Sequence, residues 1–166
     1  GYRIPELVAD AVAVLDALGL DAVHLVGHDW GALVGWAVAA HHPDRVKTLT
    51  ALSVPHPGAF LRSMRHGQIF RSWYMAAFQV PVLPEKFLGW AMRTQPDFGE
   101  RMGLPQPFAS RIAREIGEYG ALPGALGWYR AMPLPDRRSA PRPVRVPTTF
   151  VWGAACLLYT SPRPRD

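Results

Sequence analysis

Gly27-His28-Asp29-Trp30-Gly31 joins an apolar run, residues 22–26, to a segment of mostly small residues, 31–40. The run predicts a buried strand and the segment a buried helix, so the chain must turn sharply between them. Glycines on both sides of such a turn let backbone pack closely against backbone. Asp29 would then stand exposed at the carboxyl end of the strand, where the N-terminus of the helix favours negative charge.

Asp29 occupies the position at which a turn of this kind normally carries a serine nucleophile. A hydroxyl needs a base to remove its proton, whereas an aspartate carboxylate is ionised at neutral pH and can attack carbon directly, forming an alkyl ester. The alternative is that Asp29 only caps the helix that follows, which is a common use of aspartate. The glycine spacing favours the nucleophile.

Composition and charge exclude several classes of protein. The 166 residues, 49% of them hydrophobic and 19% charged, suffice for one sizeable core. No apolar run approaches the roughly 20 residues that span a bilayer, and no signal peptide is recognisable, so we expect a cytoplasmic protein without a membrane segment. The single cysteine excludes an internal disulfide. The net charge of +5 comes from scattered arginines, which does not favour nucleic-acid binding.

The order of predicted elements indicates an α/β fold with a mostly parallel sheet. A helix over residues 5–18 precedes the first strand, which holds His24 as an expected core residue, and Val46–Leu52 forms the next strand. From residue 58 to about 138 the pattern is helical and interrupted by Pro and Gly, which is typical of a mobile cap over a site. The sheet pattern returns at 146–152. The predicted cap helices are 59–64, 69–78, 85–94, 109–118 and 123–132.

These motifs resemble the epoxide hydrolases of the α/β-hydrolase fold. The resemblance rests on His-Leu-Val-Gly-His-Asp-Trp-Gly at 24–31, Pro-Asp-Arg-Val at 43–46 and the all-helical insertion, and it covers nearly all of residues 4–155. It implies a partial hydrolase core at 1–54, in which the turn at residues 27–31 is the nucleophile elbow. A helical cap is inserted after a core strand at 55–143, with 133–143 as its exit linker. A core strand returns at 144–155. Residues 156–166 have no family character and are expected to be a non-native tail.

The resemblance also assigns roles to residues. Asp29 would open an epoxide by forming an alkyl-enzyme ester, which water then hydrolyses to a diol. Residues 73–79 and 127–130 resemble the segments whose tyrosines hydrogen-bond the epoxide oxygen, so Tyr74 and Tyr129 are the candidates; aromatic packing within the cap is the alternative for both. The backbone N–H of Trp30 would be half of an oxyanion hole. We expect His28 and His56 to be structural or to line the substrate.

The family's hydrolytic step needs a histidine and an orienting acid. The acid is expected where Cys156 stands, and the histidine is expected further downstream than this chain extends. The chain is therefore expected to be an internal part of a longer enzyme that does not complete turnover alone. The resemblance implies no metal and no organic cofactor; the expected partners are a small apolar epoxide and water, and no oligomeric state is predicted.

Two other functions remain open. A haloalkane dehalogenase shares this fold and can share the Asp-Trp pair, but phenols in the cap suit an epoxide oxygen better than a halide. A non-catalytic α/β-hydrolase-like binding protein would keep the pocket without the chemistry. A serine esterase is disfavoured because the elbow holds Asp29.

Overall fold

The computed structural model describes residues 1–63, 73–95, 97–101, 103–132 and 141–153. The chain divides into two compact units. The first comprises Gly1–Ser72 and Pro135–Asp166, and the second comprises Trp73–Leu134.

The first unit is built on a parallel sheet of three strands. Along the chain it contains α1 (Ile4–Ala17), β1 (Val23–His28), α2 (Trp30–His41), a 3-10 turn at Pro43–Arg45, β2 (Val46–Leu52), α3 (Pro57–Ser63) and β3 (Thr148–Val151). The sheet order in the described residues is β1-β2-β3, with Leu25 opposite Leu49 and Leu49 opposite Thr148. All three strands therefore end at the same edge of the sheet.

Helix α2 covers one face of this sheet and forms the centre of the core. Its residues are apolar or small all round, and Ala32, Val38 and Ala39 are almost completely buried. A Cβ added at Gly35 would lie 3.1 Å from Leu49 Cδ1, so the helix approaches β2 closely there. Helix α1 packs against the outer side of α2. A helix without a polar face is expected where it is enclosed by a sheet and a second helix.

All regular elements among the described residues of the second unit are helices. It contains α4 (Trp73–Ala77), α5 (Leu83–Thr94), α6 (Phe98–Arg101), α7 (Phe108–Ile112), which continues as a π-helix over Ala113–Glu118, and α8 (Leu122–Ala131). Ala91, Ala109, Leu122 and Leu126 are its buried hydrophobic residues. Proline stands in the first turn of both α5 and α8, where its missing N–H leaves no helical hydrogen bond unmade.

The predicted fold class is confirmed, and the boundaries of two strands differ from the predicted ones. The first strand runs past Val26 to His28, because Gly27 and His28 still pair with β2. The returning strand begins at Thr148 because Pro147 has no N–H to donate to the ladder. The prediction that His24 lies in the core was wrong: its side chain is exposed and bonds Thr48 Oγ1 through Nδ1 at 2.8 Å.

The predicted helices of residues 55–143 are found in part. The segment 59–64 begins earlier, at Pro57, and the segment 109–118 changes to a π-helix at Ala113. Helix α6 was not predicted, since it is only one turn long. The predictions at 64, 69–72 and 133–140 and the proposed tail at 156–166 lie outside the described residues.

Candidate active site

The turn at residues 27–31 brings a strand and a helix into direct backbone contact. A Cβ added at Gly27 would lie 2.6 Å from the carbonyl carbon of Gly31 and 2.8 Å from Ala32 Cα, and closer still to the Gly31 oxygen. At Gly31, by contrast, an added Cβ meets none of the described atoms within 4 Å. The two glycines of the motif are therefore not equivalent: Gly27 has no room for a Cβ because the backbone of Gly31 lies against it, whereas Gly31 itself has room for one.

Asp29 adopts a backbone conformation that is rare for a residue with a side chain. Its φ of 51° and ψ of −121° match the first central position of a type II′ turn, which glycine dominates. Strain of this kind costs on the order of 1–3 kcal/mol and persists only where the surroundings impose it. The Asp29 N–H donates to the Leu52 carbonyl at 3.3 Å, and its own carbonyl accepts from Ala32 and Leu33.

The carboxylate of Asp29 does not cap α2. Within the described residues it makes no side-chain hydrogen bond to the N–H groups of the first turn, although Asp29 stands at the N-cap position. The capping alternative predicted such a bond, so the structure argues against it. Asp29 is half-buried at the carboxyl end of β1. The backbone of the turn therefore places its side chain at the sheet edge without a capping bond to α2.

Trp30 and His28 flank the aspartate. Trp30 is the first residue of α2 and is half-buried, and the first turn that it opens carries no acidic residue among those described. The positive end of the helix is thus not neutralised by an acidic residue of that turn. His28 is the last residue of β1; its side chain is exposed, and it lies opposite Leu52 in the register.

Ser53 was missed by the sequence analysis. It follows the end of β2 with a φ of 68°, and the Val54 N–H donates to the Leu52 carbonyl at 2.9 Å, which closes a three-residue turn around Ser53. The Ser53 N–H donates to the Val151 carbonyl at 2.9 Å. Asp29 and Ser53 thus follow the ends of neighbouring strands, both with positive φ, and no sequence signal marks Ser53.

His56 is engaged on both ring nitrogens. The Gly58 N–H donates to Nδ1 at 3.1 Å, so the proton is on Nε2, which donates to the Arg142 carbonyl at 3.0 Å. The ring also packs edge-on against Trp36, with centroids 5.4 Å apart. His56 therefore caps α3 and ties it to the segment that leads into β3. This arrangement fits the structural role rather than substrate lining.

The two candidate tyrosines meet in the second unit. Tyr74 lies on α4 and Tyr129 on α8; both are half-buried, and their ring centroids are 6.0 Å apart in an edge-to-face arrangement. Phe78 completes a trio, 5.7 Å from Tyr74 and 5.0 Å from Tyr129. Phe78 follows Tyr74 by one helical turn, and this spacing could have identified it from the sequence.

The described residues contain neither a metal-binding cluster nor a membrane-spanning helix. In the part of the chain that the structure describes, no three side chains of His, Cys, Asp or Glu group so that they could hold a metal ion. No helix among those described is long and apolar enough to cross a membrane.

Comparison with known proteins agrees with this geometry. The model of the α/β hydrolase fold family matches residues 1–95, which include the elbow and all of β1 and β2. The chain belongs to the α/β-hydrolase fold family. The resemblance predicted from the sequence is confirmed, because curated relatives and solved structures of epoxide hydrolases match this α/β hydrolase along most of its length.

Three of these matches define the extent of the similarity. Epoxide hydrolase 4 of Mus musculus is 31% identical over 92% of the chain, which spans 45% of that protein. Epoxide hydrolase 2 of Siraitia grosvenorii is 32% identical over 99% of the chain, which spans 62% of it. A crystal structure of a mutant epoxide hydrolase from Bacillus megaterium, complexed with its product (R)-3-[1]naphthyloxy-propane-1,2-diol, superimposes with a TM-score of 0.74 at 28% identity and covers 95% of this chain and 61% of its own.

Proposed function

We propose that this α/β hydrolase opens epoxides, with Asp29 as the nucleophile and the phenols of Tyr74 and Tyr129 as donors to the epoxide oxygen. The observation that carries the proposal is the pairing of the two tyrosines, which lie far apart in the sequence yet have rings 6.0 Å apart. The resemblance had assigned each of them separately. The Asp29 carboxylate makes no capping hydrogen bond to α2, which supports its role as the nucleophile.

The first chemical step requires only the Asp29 carboxylate, a tyrosine phenol, the epoxide and water. A carboxylate oxygen of Asp29 forms a bond to an epoxide carbon, the bond between that carbon and the ring oxygen breaks, and its electron pair stays on the oxygen. A tyrosine phenol hydrogen-bonds the developing alkoxide and transfers its proton. The products are a hydroxyalkyl ester and a tyrosinate, which is reprotonated from water. A donor of this kind, preplaced at a developing oxyanion, contributes about 3–4 kcal/mol to the step.

The second step is hydrolysis of the ester. Water attacks the ester carbonyl, the carbonyl oxygen becomes an oxyanion, and the backbone N–H of Trp30 at the start of α2 donates to it. The oxyanion then collapses, the bond between the carbonyl carbon and the alkyl oxygen breaks, and that oxygen takes up a proton from the attacking water, which regenerates the Asp29 carboxylate. The net reaction adds water to an epoxide and releases a diol. The base that activates this water is the histidine implied by the family resemblance, and no residue described here is assigned that role. Water and a small epoxide are the proposed partners, in the cytoplasm.

The names of the relatives support an epoxide over other substrates. The mouse and Siraitia proteins are epoxide hydrolases by name, and the Bacillus megaterium enzyme binds an aryloxy-propanediol as its product. An aryl glycidyl ether is the epoxide that yields such a diol, so phenyl glycidyl ether is a suitable probe.

The test is to follow the mass of the intact chain during incubation with phenyl glycidyl ether. We expect one equivalent of adduct, which peptide mapping assigns to the Asp29 carboxylate, or diol release where the ester turns over. Asp29→Ala should abolish both, while Asp44→Ala, a change at an exposed aspartate in the 3-10 turn that precedes β2, should leave both unchanged. An adduct on another residue, or no reaction at all, would contradict the proposal.

The same assay separates the two alternatives. A chloroalkane probe that alkylates Asp29 with release of chloride, where the epoxide does not react, would assign the dehalogenase reaction. Saturable binding of the diol without any adduct from either probe would assign the non-catalytic binding protein. Loss of adduct formation in Tyr74→Phe and Tyr129→Phe variants would connect the phenols to the chemical step.

A further inference from the structure

The Arg130 side chain makes four hydrogen bonds within the second unit. Its Nη1 donates to Glu85 Oε1 at 2.5 Å and its Nη2 to Glu85 Oε2 at 2.9 Å, a two-pronged ion pair. Nη2 also donates to the Val80 carbonyl and Nε to the Phe78 carbonyl, each at 3.0 Å. One guanidinium on α8 therefore fixes the first turn of α5 and the connector between α4 and α5.

These bonds link the two tyrosine-bearing helices through the backbone. The Phe78 N–H donates to the Tyr74 carbonyl at 2.9 Å, and the Phe78 carbonyl accepts from Arg130. Arg130 is the residue after Tyr129. A continuous path of two hydrogen bonds thus runs from the backbone of one tyrosine to the neighbour of the other.

A second connection runs through Gln79. Its Nε2 donates to the Tyr129 carbonyl at 2.8 Å and to the Met75 carbonyl at 3.3 Å. The carbonyls of Tyr129 and Met75 lie on α8 and α4, so the amide joins these two helices directly, whereas Arg130 joins α8 to α5 and to the connector that follows α4. Phe78 is held between these contacts, and its ring packs against both tyrosine rings.

We propose that Arg130 and Glu85 are positioning residues of the tyrosine pair: their ion pair orients the Arg130 guanidinium on α8, whose bonds to the Phe78 and Val80 carbonyls hold the backbone that follows α4, and so sets the separation at which the two phenols meet one oxygen. The inference rests on the proposed epoxide-opening function. Two donors aimed at one developing alkoxide must be placed within a few tenths of an ångström, a precision that the packing of the aromatic rings does not provide by itself.

The electrostatics agree with a permanent ion pair. The side chains of Arg130 and Glu85 are 29% and 20% exposed, so solvent screens them only in part. Hydrogen bonding to Arg130 lowers the pKa of the Glu85 carboxyl, and the same bond raises the pKa of Arg130. A planar fork matches a carboxylate and two carbonyls together, which the ammonium of lysine does not reproduce. Arg130→Lys therefore keeps the charge and loses the geometry.

The experiment compares two ion pairs in the same unit. Arg130→Lys and Glu85→Gln disrupt the proposed positioning pair. Arg111→Lys and Glu115→Gln disrupt a control pair joined at 2.8 Å on α7 and its π-helical continuation, with side chains 64% and 45% exposed. Each variant of the full chain is assayed for Asp29 alkylation over a range of phenyl glycidyl ether concentrations, which separates the limiting rate from half-saturation.

A spectroscopic measurement runs in parallel and does not depend on catalysis. The chain is labelled with meta-fluorotyrosine, and its fluorine resonances are assigned with Tyr74→Phe and Tyr129→Phe. We expect Arg130→Lys and Glu85→Gln to shift both resonances. We also expect them to lower the limiting alkylation rate by about 10- to 100-fold, the cost of a misplacement of about 1 Å, with little change in half-saturation. The control pair should change neither measurement.

The outcomes distinguish the inference from the function on which it rests. Absence of alkylation in the unsubstituted chain overturns the proposed function. Normal alkylation with unshifted resonances in Arg130→Lys and Glu85→Gln overturns the positioning role alone, as does an equal effect of the control pair. Circular dichroism monitors folding, and where Arg130→Lys does not fold, Glu85→Gln decides the result because it preserves side-chain size.

Discussion

Gly27→Ala tests whether the elbow depends on contact between backbones. The added Cβ would lie 2.6 Å from the Gly31 carbonyl carbon and 2.8 Å from Ala32 Cα, both below the 3.0 Å that real Cβ atoms respect. Because these are backbone atoms in the first turn of α2, no side-chain rotation relieves the overlap. Overpacking in a core costs about 1–3 kcal/mol, and three simultaneous backbone overlaps place this substitution at about 3 kcal/mol.

Gly31→Ala is the matched control. The same methyl group is added four residues away, where it meets none of the described atoms within 4 Å. Alanine also has the higher helix propensity, so stability should stay the same or rise by at most about 1 kcal/mol.

Denaturant titration and thermal unfolding of the two variants measure the difference. For a chain of this size, about 3 kcal/mol corresponds to a fall in Tm of about 6–12 °C for Gly27→Ala. Equal stability of the two variants would refute the steric argument, and so would a larger loss in Gly31→Ala. Either result would mean that the motif requires glycines for their conformational freedom and not because a Cβ has no room.

Three further changes have outcomes that follow from single contacts. Asp29→Gly should raise the free energy of unfolding by about 1 kcal/mol, because glycine relieves the strained φ at a smaller entropic cost, and Asp29→Ala, measured by the same denaturant titration, should not. Trp36→Phe should cost about 1–3 kcal/mol in that titration, since it leaves the buried Val54 carbonyl without the 2.9 Å bond from the indole. Burial, and then the charges of Arg142 and His42, lower the pKa of His41. The folded state thus binds a proton less readily than the unfolded state, and stability falls as the pH drops through the ordinary histidine range; the fall between about pH 7.5 and pH 5.5 should be smaller in His41→Gln than in His42→Gln.

The elements that depend on local patterns were predictable from the sequence. The strand Val46–Leu52 was predicted at its observed bounds, and α1, α2, α5 and α8 within two residues at each end. Helix α1 shows a regular hydrophobic period, α2 is a continuous run of small and apolar residues, and Pro or Gly residues delimit α5 and α8. Helix α6 is only one turn long, which is too short to show a hydrophobic period, so no local pattern predicts it.

The details of the site could not be predicted, because they arise from contacts between distant segments. The sequence presents Gly27 and Gly31 as an equivalent pair, and only the packing of α2 shows which one lacks space. Arg130 was part of the segment that suggested Tyr129, but its partners Glu85, Phe78 and Val80 come from elsewhere in the chain. A local sequence pattern does not identify the partners of a long polar side chain.

The strained conformation of Asp29 is maintained by residues far from the elbow. Asp29 donates its N–H to the Leu52 carbonyl, which also accepts from Val54, and Ser53 between them donates to the Val151 carbonyl at the end of β3. The ends of all three strands are thus joined in one backbone network along the carboxyl edge. Because β3 comes from the last part of the described chain, the position of Asp29 depends on a strand more than a hundred residues away in sequence. The geometry at Asp29 is therefore a property of the assembled sheet, and the local motif is necessary for it without being sufficient.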